Sequence, residues 1–157
     1  MARIDYFDDP DAPEINSVVP SVTVAVRDDD GRLLLIHRTD NDLWSIPGGA
    51  VDPGETVRQA GVREAREETG YDIEITGLVG IYTDTRHRIA YSDGEVRAQF
   101  SICMTGRVTG GTARTSSESS EVVWQPVEQL DDLNIHQSIR LRIDHALDPD
   151  RTEPWLT

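Results

Sequence analysis

A mixed β-sheet flanked by helices, an α/β (α+β) fold, is what the pattern of apolar residues predicts. Three observations lead there: strand-like stretches outnumber helical ones, two helices are legible, and those two lie far apart in the chain. A length of 157 residues suits one domain of this kind rather than two.

Residues 1–16 are acidic, carry Pro10 and Pro13 and show no period, which reads as an N-terminal arm or a sheet-edge segment without nameable chemistry. The domain proper is expected over 17–147, with 148–157 as a C-terminal tail. In 18–27, Val22, Val24 and Val26 alternate with Thr23 and Ala25; the turn residues 28–31 follow, then the unbroken apolar run Leu33, Leu34, Leu35, Ile36. That spacing predicts a hairpin with one strand buried on both faces. Residues 44–46 add a short strand, which Pro47, Gly48 and Gly49 break. A helix is predicted over 56–69, started by the turn Asp52-Pro53-Gly54 and ended by Gly70. Strands are expected at 73–75, 78–82 and 96–104, a Gly/Thr/Ser loop at 109–120, and a further strand at 122–124. Ile139, Ile143, Ala146 and Leu147 recur at helical intervals, so a second amphipathic helix covers 136–147 and stops before Pro149.

Charge narrows the function. Fifteen Lys and Arg against twenty-nine Asp and Glu leave −14, which opposes a charge-driven grip on nucleic acid or an anionic membrane. A phosphate-bearing ligand must therefore be held by a local device. The first ten residues lack the apolar core of a secretory signal and Cys103 is the only cysteine, so no disulfide forms within the chain and a cytoplasmic setting is expected.

The chemistry concentrates in residues 49–71. Glu64, Glu67 and Glu68 fall at i, i+3 and i+4, in one sector of a helix turning about 100° per residue, and Val57 and Ala60 share that sector. Gln59, Arg63 and Arg66 point the other way. Acids that continue an apolar flank should be partly buried, and two carboxylates about 6 Å apart repel by roughly 3 kcal/mol at an effective dielectric of 20. A cation relieves that repulsion; an ion network through Arg63 and Glu67 is the structural alternative. Oxygen-only ligands select a hard cation, magnesium first. Upstream, Gly48 and Gly49 let the backbone approach a ligand closely, and free amides near a helix start favour anions.

At these residues the sequence resembles the Nudix hydrolases. Gly49, Glu55, Arg63, Glu64, Ala65, Glu67, Glu68, Gly70 and Tyr71 fill every fixed place of that family's signature. The stretches Trp44-Ser-Ile-Pro-Gly-Gly and Glu121-Val-Val-Trp124 extend the likeness to about residues 18–147. The resemblance implies an α/β/α sandwich that hydrolyses a nucleotide or a small molecule linked to a nucleoside diphosphate, using Mg2+ or, in its place, Mn2+. By the same resemblance Glu64, Glu67, Glu68 and the Gly48 carbonyl bind metal, Glu55 and Arg63 orient the helix and its acids, and Glu64 is a candidate general base. Glu118 and Glu121 precede Trp124 in a loop where such families place a further ligand or base; Glu118 is the favoured one of the two. Dimers occur in the family. Two other readings come with it, a noncatalytic nucleotide-sensing module and an enzyme that rearranges isoprenoid diphosphates. The complete acid set counts against the first, and the solitary Cys103 in a strand-like run against the second.

Elsewhere the readings are plainer. Arg38, Gly48, Gly49 and Tyr82 are candidate substrate contacts, and Arg27 and Arg97 are arginines that reach phosphates or sit in surface ion pairs. Trp44 is a core or wall residue, and Cys103 fills the core. His37, His87, His136 and His145 show no ligand spacing, so zinc is not expected. Specificity is expected from 82–95 and from the loop before Trp124. The proline that marks ADP-ribose enzymes in the family is absent near Thr85-Arg86-His87.

Overall fold

Every residue from Leu33 to Ile36 is fully buried, yet successive side chains of a strand point to opposite faces, so both faces of this strand are covered. The computed structural model, which describes residues 2–157, shows what covers them. Strands β1 (Arg3–Phe7), β2 (Ser17–Val18), β3 (Ser21–Val26), β4 (Leu33–Arg38), β5 (Trp44–Ser45) and β6 (Gly48–Ala50) precede helix α1 (Val57–Thr69). Strands β7 (Tyr71–Tyr82), β8 (His87–Tyr91), β9 (Val96–Ala98), β10 (Ser101–Gly111) and β11 (Ser119–Gln125) follow. A 3-10 turn (Val127–Asp132), helix α2 (Gln137–Leu147) and strand β12 (Trp155–Leu156) complete the chain. Val22, Val24, Val26 and Leu34 pack with Ala60 and Ala65 of α1. Ala25, Leu33 and Leu35 pack with Ile143 and, from the same helix, Ile139 and Ala146 of α2. The chain is thus an α/β/α sandwich.

Three sheets build the middle: β12-β7-β10-β3-β6, β11-β4-β5 and β1-β8-β9-β2. The first is mixed, with β10 parallel to β3 and antiparallel to β7. The expected hairpin between β3 and β4 survives only as the bridge Arg27↔Leu33. Both edges of β3 are taken, by β6 and β10, so β4 pairs with β11 and β5 instead. The strand at 44–45 ends before Pro47 as expected, and Gly48 and Gly49 then open a separate strand, β6, against β3, where the Val22 carbonyl leaves no room for a Cβ at Gly48. The two strands expected at 73–75 and 78–82 are one, β7, whose register against β10 shifts three times; each shift breaks the apolar alternation that sequence reading relies on. Strand β10 also runs on to Gly111, into the segment expected to be loop.

The N-terminal segment takes its sheet-edge form, β1 pairing antiparallel with β8. Strand β8 itself, His-Arg-Ile-Ala-Tyr, went unpredicted because its residues are mostly half-buried and carry little alternation. Among the described residues no helix is long and apolar enough to cross a membrane.

Helix α1 is fixed at both ends. Thr56 Oγ1 accepts from the Gln59 amide and Gln59 Oε1 accepts from the Thr56 amide, a capping box worth about 1 kcal/mol. Gly70 ends it at φ 80, a left-handed conformation that glycine adopts without strain, with its N–H on the Arg66 carbonyl. These two caps set the phase in which the glutamates face the sheet.

Candidate functional site

The buried face of α1 comprises Ala60, Gly61, Glu64, Ala65, Glu68 and Thr69. Glu64 and Glu68, one turn apart, are 8% and 2% exposed. Glu67 departs from the expectation: its side chain is 58% exposed, because at about 100° per residue it falls just outside the sector bounded by Ala60.

Strand β6 lies across this face. The Gly48 amide donates to Glu68 Oε2 at 3.1 Å, and the space where Gly49 would carry a Cβ is filled by the Glu64 carboxylate. The glycine pair therefore lets backbone and carboxylates meet. Burial pushes Glu68 up to about 8, against the Gly48 amide, with Glu64 adding to the rise, Arg38 opposing it and Glu118 adding further. Glu64 is raised too, again chiefly by burial, although Arg63 opposes this.

Arg63 ties helix to loop. Its Nε and Nη2 reach Glu55 at 2.7 and 2.9 Å, and Nη2 also reaches the Ala50 carbonyl at 3.1 Å. Its Nη1 reaches Glu64 at 2.8 Å and Glu67 at 3.3 Å. The guanidinium holds Glu55 down at about 2. Among the described residues no arginine bonds the Glu68 carboxyl; its hydrogen-bond partner is the Gly48 backbone amide.

From the opposite side comes the loop between β10 and β11. Ser119 Oγ donates to the Glu68 carbonyl at 2.6 Å, and Ser116 Oγ accepts from the amides of Glu118 and Ser119. This seats Glu118 beside the site, where its charge acts on Glu64 and Glu68. Arg38 is paired with Asp40 at 2.8 and 2.6 Å and stands close enough to Glu68 and Glu118 to feel both.

Gly48, Gly49, Glu64, Arg38, Glu118 and Trp44 line one cavity of about 510 Å3. Tyr82, expected to touch substrate, does not line it. Tyr82 is buried in the core with its hydroxyl on His145 Nδ1 at 2.8 Å, because its place on β7 turns it toward α2. Arg27 stays in its own turn on the Gly31 carbonyl, and Arg97 is paired with Glu95 at the cavity wall. Glu121 lies on β11 opposite His37, outside the lining.

The cavity takes His87, Ile89 and Tyr91 from the 82–95 stretch, His136 from the cap of α2, and three residues to which the sequence assigned no role, Arg3 and Asp5 of β1 and Arg142 of α2. Asp5, His87 and His136 bring ligand-type atoms within 4.8 Å of one another, although their sequence spacing hid it. Hydrogen bonds already engage the atoms of Asp5 and His87. His87 Nε2 donates to Asp5 at 2.8 Å, its Nδ1 accepts from Gln99, and both Asp5 oxygens accept from Arg3. Burial would raise Asp5, yet His87 and Arg3 together hold its carboxyl well below the usual range. A guanidinium so placed opposes a cation, so the cluster reads as a self-contained network rather than a metal centre. The signal that could have found Arg142 is an arginine bordering the apolar stripe of Ile139, Ile143 and Ala146.

The oxygen-only donors Glu64 and Glu68, buried and mutually repelling, fit a hard divalent cation. A sandwich that gathers such acids from one helix onto a backbone amide, beside a cavity of nucleotide size, defines a hydrolase of diphosphate linkages. Residues 18–146 match the NUDIX domain, and the chain belongs to the Nudix family. It is 34% identical over 137 residues to a MutT-like protein of Streptomyces ambofaciens, covering 87% of this chain and 80% of that one. It is 32% identical over 116 residues to an ADP-ribose pyrophosphatase of Methanocaldococcus jannaschii, covering 71% and 64%. The crystal structure of a MutT NUDIX hydrolase from Burkholderia pseudomallei superposes with a TM-score of 0.67 at 24% identity, over 83% of this chain and 98% of that one. The chain is a Nudix diphosphohydrolase, of a family that works with divalent metal.

Proposed function

We propose that this hydrolase cleaves the diphosphate of a nucleotide, or of a small molecule linked to a nucleoside diphosphate, with magnesium held by Glu64, Glu67, Glu68, the Gly48 carbonyl and Glu118. Manganese substitutes for it. The observation that carries the reading is Glu68, buried with a backbone amide as its hydrogen-bond partner and, among the described residues, no arginine bonded to it. When bound, the cation neutralises the diphosphate and acidifies a water for in-line attack on phosphorus.

The chain's own residues supply position and a proton acceptor. The Gly48 amide fixes the rotamer of Glu68. Arg63 clamps Glu55 and Glu64, so the loop before α1 and the acids on it move as one unit. Glu64 Oε1 is held by Arg63, which leaves Oε2 as the atom that takes the proton of the attacking water. Glu118, from the facing loop, closes the site as a further oxygen ligand. Gly48, Gly49 and Arg38 border the phosphates, Arg38 by charge.

The test is release of phosphate or nucleotide from a panel of nucleoside triphosphates, sugar nucleotides, dinucleoside polyphosphates and ADP-ribose, with and without magnesium. Turnover of at least one of these, dependent on magnesium and lowered about 100-fold or more in Glu67→Gln or Glu68→Gln, is expected. Magnesium-dependent activity near wild type in those variants rejects the metal assignment.

A further inference from the structure

Arg142 is 5% exposed, lines the cavity, and has its Nε–H buried without a partner among the described residues. No carboxylate pairs with it; the ring of Tyr82 lies 5.5 Å away, which attracts the charge without satisfying the N–H groups. Burial lowers its pKa, Cys103 and Tyr82 oppose this, and the guanidinium of Arg3 adds to the lowering. Arg3 spends its Nε and one Nη on Asp5, which leaves its remaining nitrogen unspent. His136 caps α2 by accepting the Ser138 amide at Nδ1, at 3.2 Å, so its proton sits on Nε2. Its ring stacks on His87, with centroids 5.0 Å apart. Asp5 is neutralised by Arg3, so the group as a whole keeps one positive charge and several unspent donors.

We propose that Arg142, with Arg3 and the Nε2–H of His136, forms an oxyanion subsite for a second anionic group of the substrate, a phosphate or carboxylate separate from the diphosphate that is cleaved. This deepens the proposed function and rests on it for the word substrate. A buried guanidinium unmatched by any acid is stabilised by a ligand oxyanion and by little else. A neutral nucleobase edge would fill donors but leave the charge. The subsite shares its cavity with Glu64 and Glu118, so one molecule spans both. It favours nucleoside diphosphate derivatives whose far end carries negative charge.

The experiment uses the full chain stripped of metal with EDTA, where the acids repel anions from the hydrolytic site. Inorganic phosphate and acetate are titrated in separate arms at fixed pH and ionic strength, and the Arg142 Hε and Ser138 amide resonances are followed by NMR. A saturable shift with phosphate assigns a phosphate group and one with acetate a carboxylate; either is expected to persist in Glu68→Gln. Arg3→Gln should weaken it about ten-fold or more, and Arg142→Met should abolish the Ser138 response. No saturable response in either arm, or an unchanged one in both Arg variants, overturns the subsite. Because no turnover is read, this outcome is independent of whether the hydrolytic reading holds. With magnesium restored, Arg142→Met should raise KM about ten-fold more for a dinucleotide bearing a ribose 2′-phosphate than for the same dinucleotide without it. Equal rises for the two overturn the link to substrate.

Discussion

Glu68 Oε2 accepts a hydrogen bond from the Gly48 amide at 3.1 Å, joining the last turn of α1 to the first residue of β6. The bond satisfies one lone pair of a carboxylate that is otherwise sealed from water, and burial still pushes that carboxylate up to about 8. Activity and stability should therefore separate at this residue. Glu68→Gln keeps an acceptor for the Gly48 amide and removes a carboxyl that burial keeps largely protonated at neutral pH, at a cost to stability. Its urea midpoint at neutral pH, without metal, should equal or exceed that of wild type while turnover collapses. A midpoint well below wild type would show that the buried carboxyl itself stabilises the fold.

Arg63 is predicted to act through its fork rather than its charge. Arg63→Lys keeps the charge but cannot hold Glu55 and Glu64 together, and should lower activity or metal affinity about 10- to 100-fold. A magnesium titration of the rate distinguishes it from wild type, and an unchanged curve would remove Arg63 from the site's scaffold.

Gly49→Ala places a methyl on the Glu64 carboxylate. The carboxylate ends a flexible side chain and swings aside without α1 or β6 moving, so Glu64 leaves its place beside Arg63 while the fold changes little. The magnesium-dependent rate should fall while chemical denaturation shows little loss of stability; a fully active variant would mean that Glu64 does not act from the place it holds against Gly49.

Asp5 gives the pH dependence. Its folded pKa lies below the ordinary 3.8, so its stabilising contribution is present above about pH 4 and is lost as pH falls toward the folded value. Asp5→Asn should cost about 1–3 kcal/mol at pH 7 and progressively less below pH 4. Denaturation of both proteins at pH 7 and pH 3 checks this, and a gap that stays constant or widens in acid would contradict it.

The sandwich was legible because burial on two faces writes itself into Leu33–Ile36 as an unbroken apolar run, and because Ala60, Glu64 and Glu68 keep helical phase. The phase failed at its margin, where Glu67 lies just outside the buried sector. Tyr82 was misplaced since a strand residue's face depends on register, and β7 shifts register against β10. The Arg3, Asp5, His87 and His136 group was invisible for a different reason: it is assembled by pairing between β1 and β8 and by the cap of α2, contacts across about eighty and fifty residues that no local pattern records. Arg142 did leave a local trace, as a charge on an apolar helix border.

The central claim is that buried glutamates of α1 serve a cation-dependent cleavage of diphosphates. The most direct measurement is product release by chelator-treated wild type and by the double variant Glu64→Gln/Glu68→Gln, each across a magnesium titration. Wild type should be silent without metal and active with it, and the double variant silent throughout. Equal turnover with and without metal, or magnesium-dependent turnover that survives in the double variant, would contradict the account.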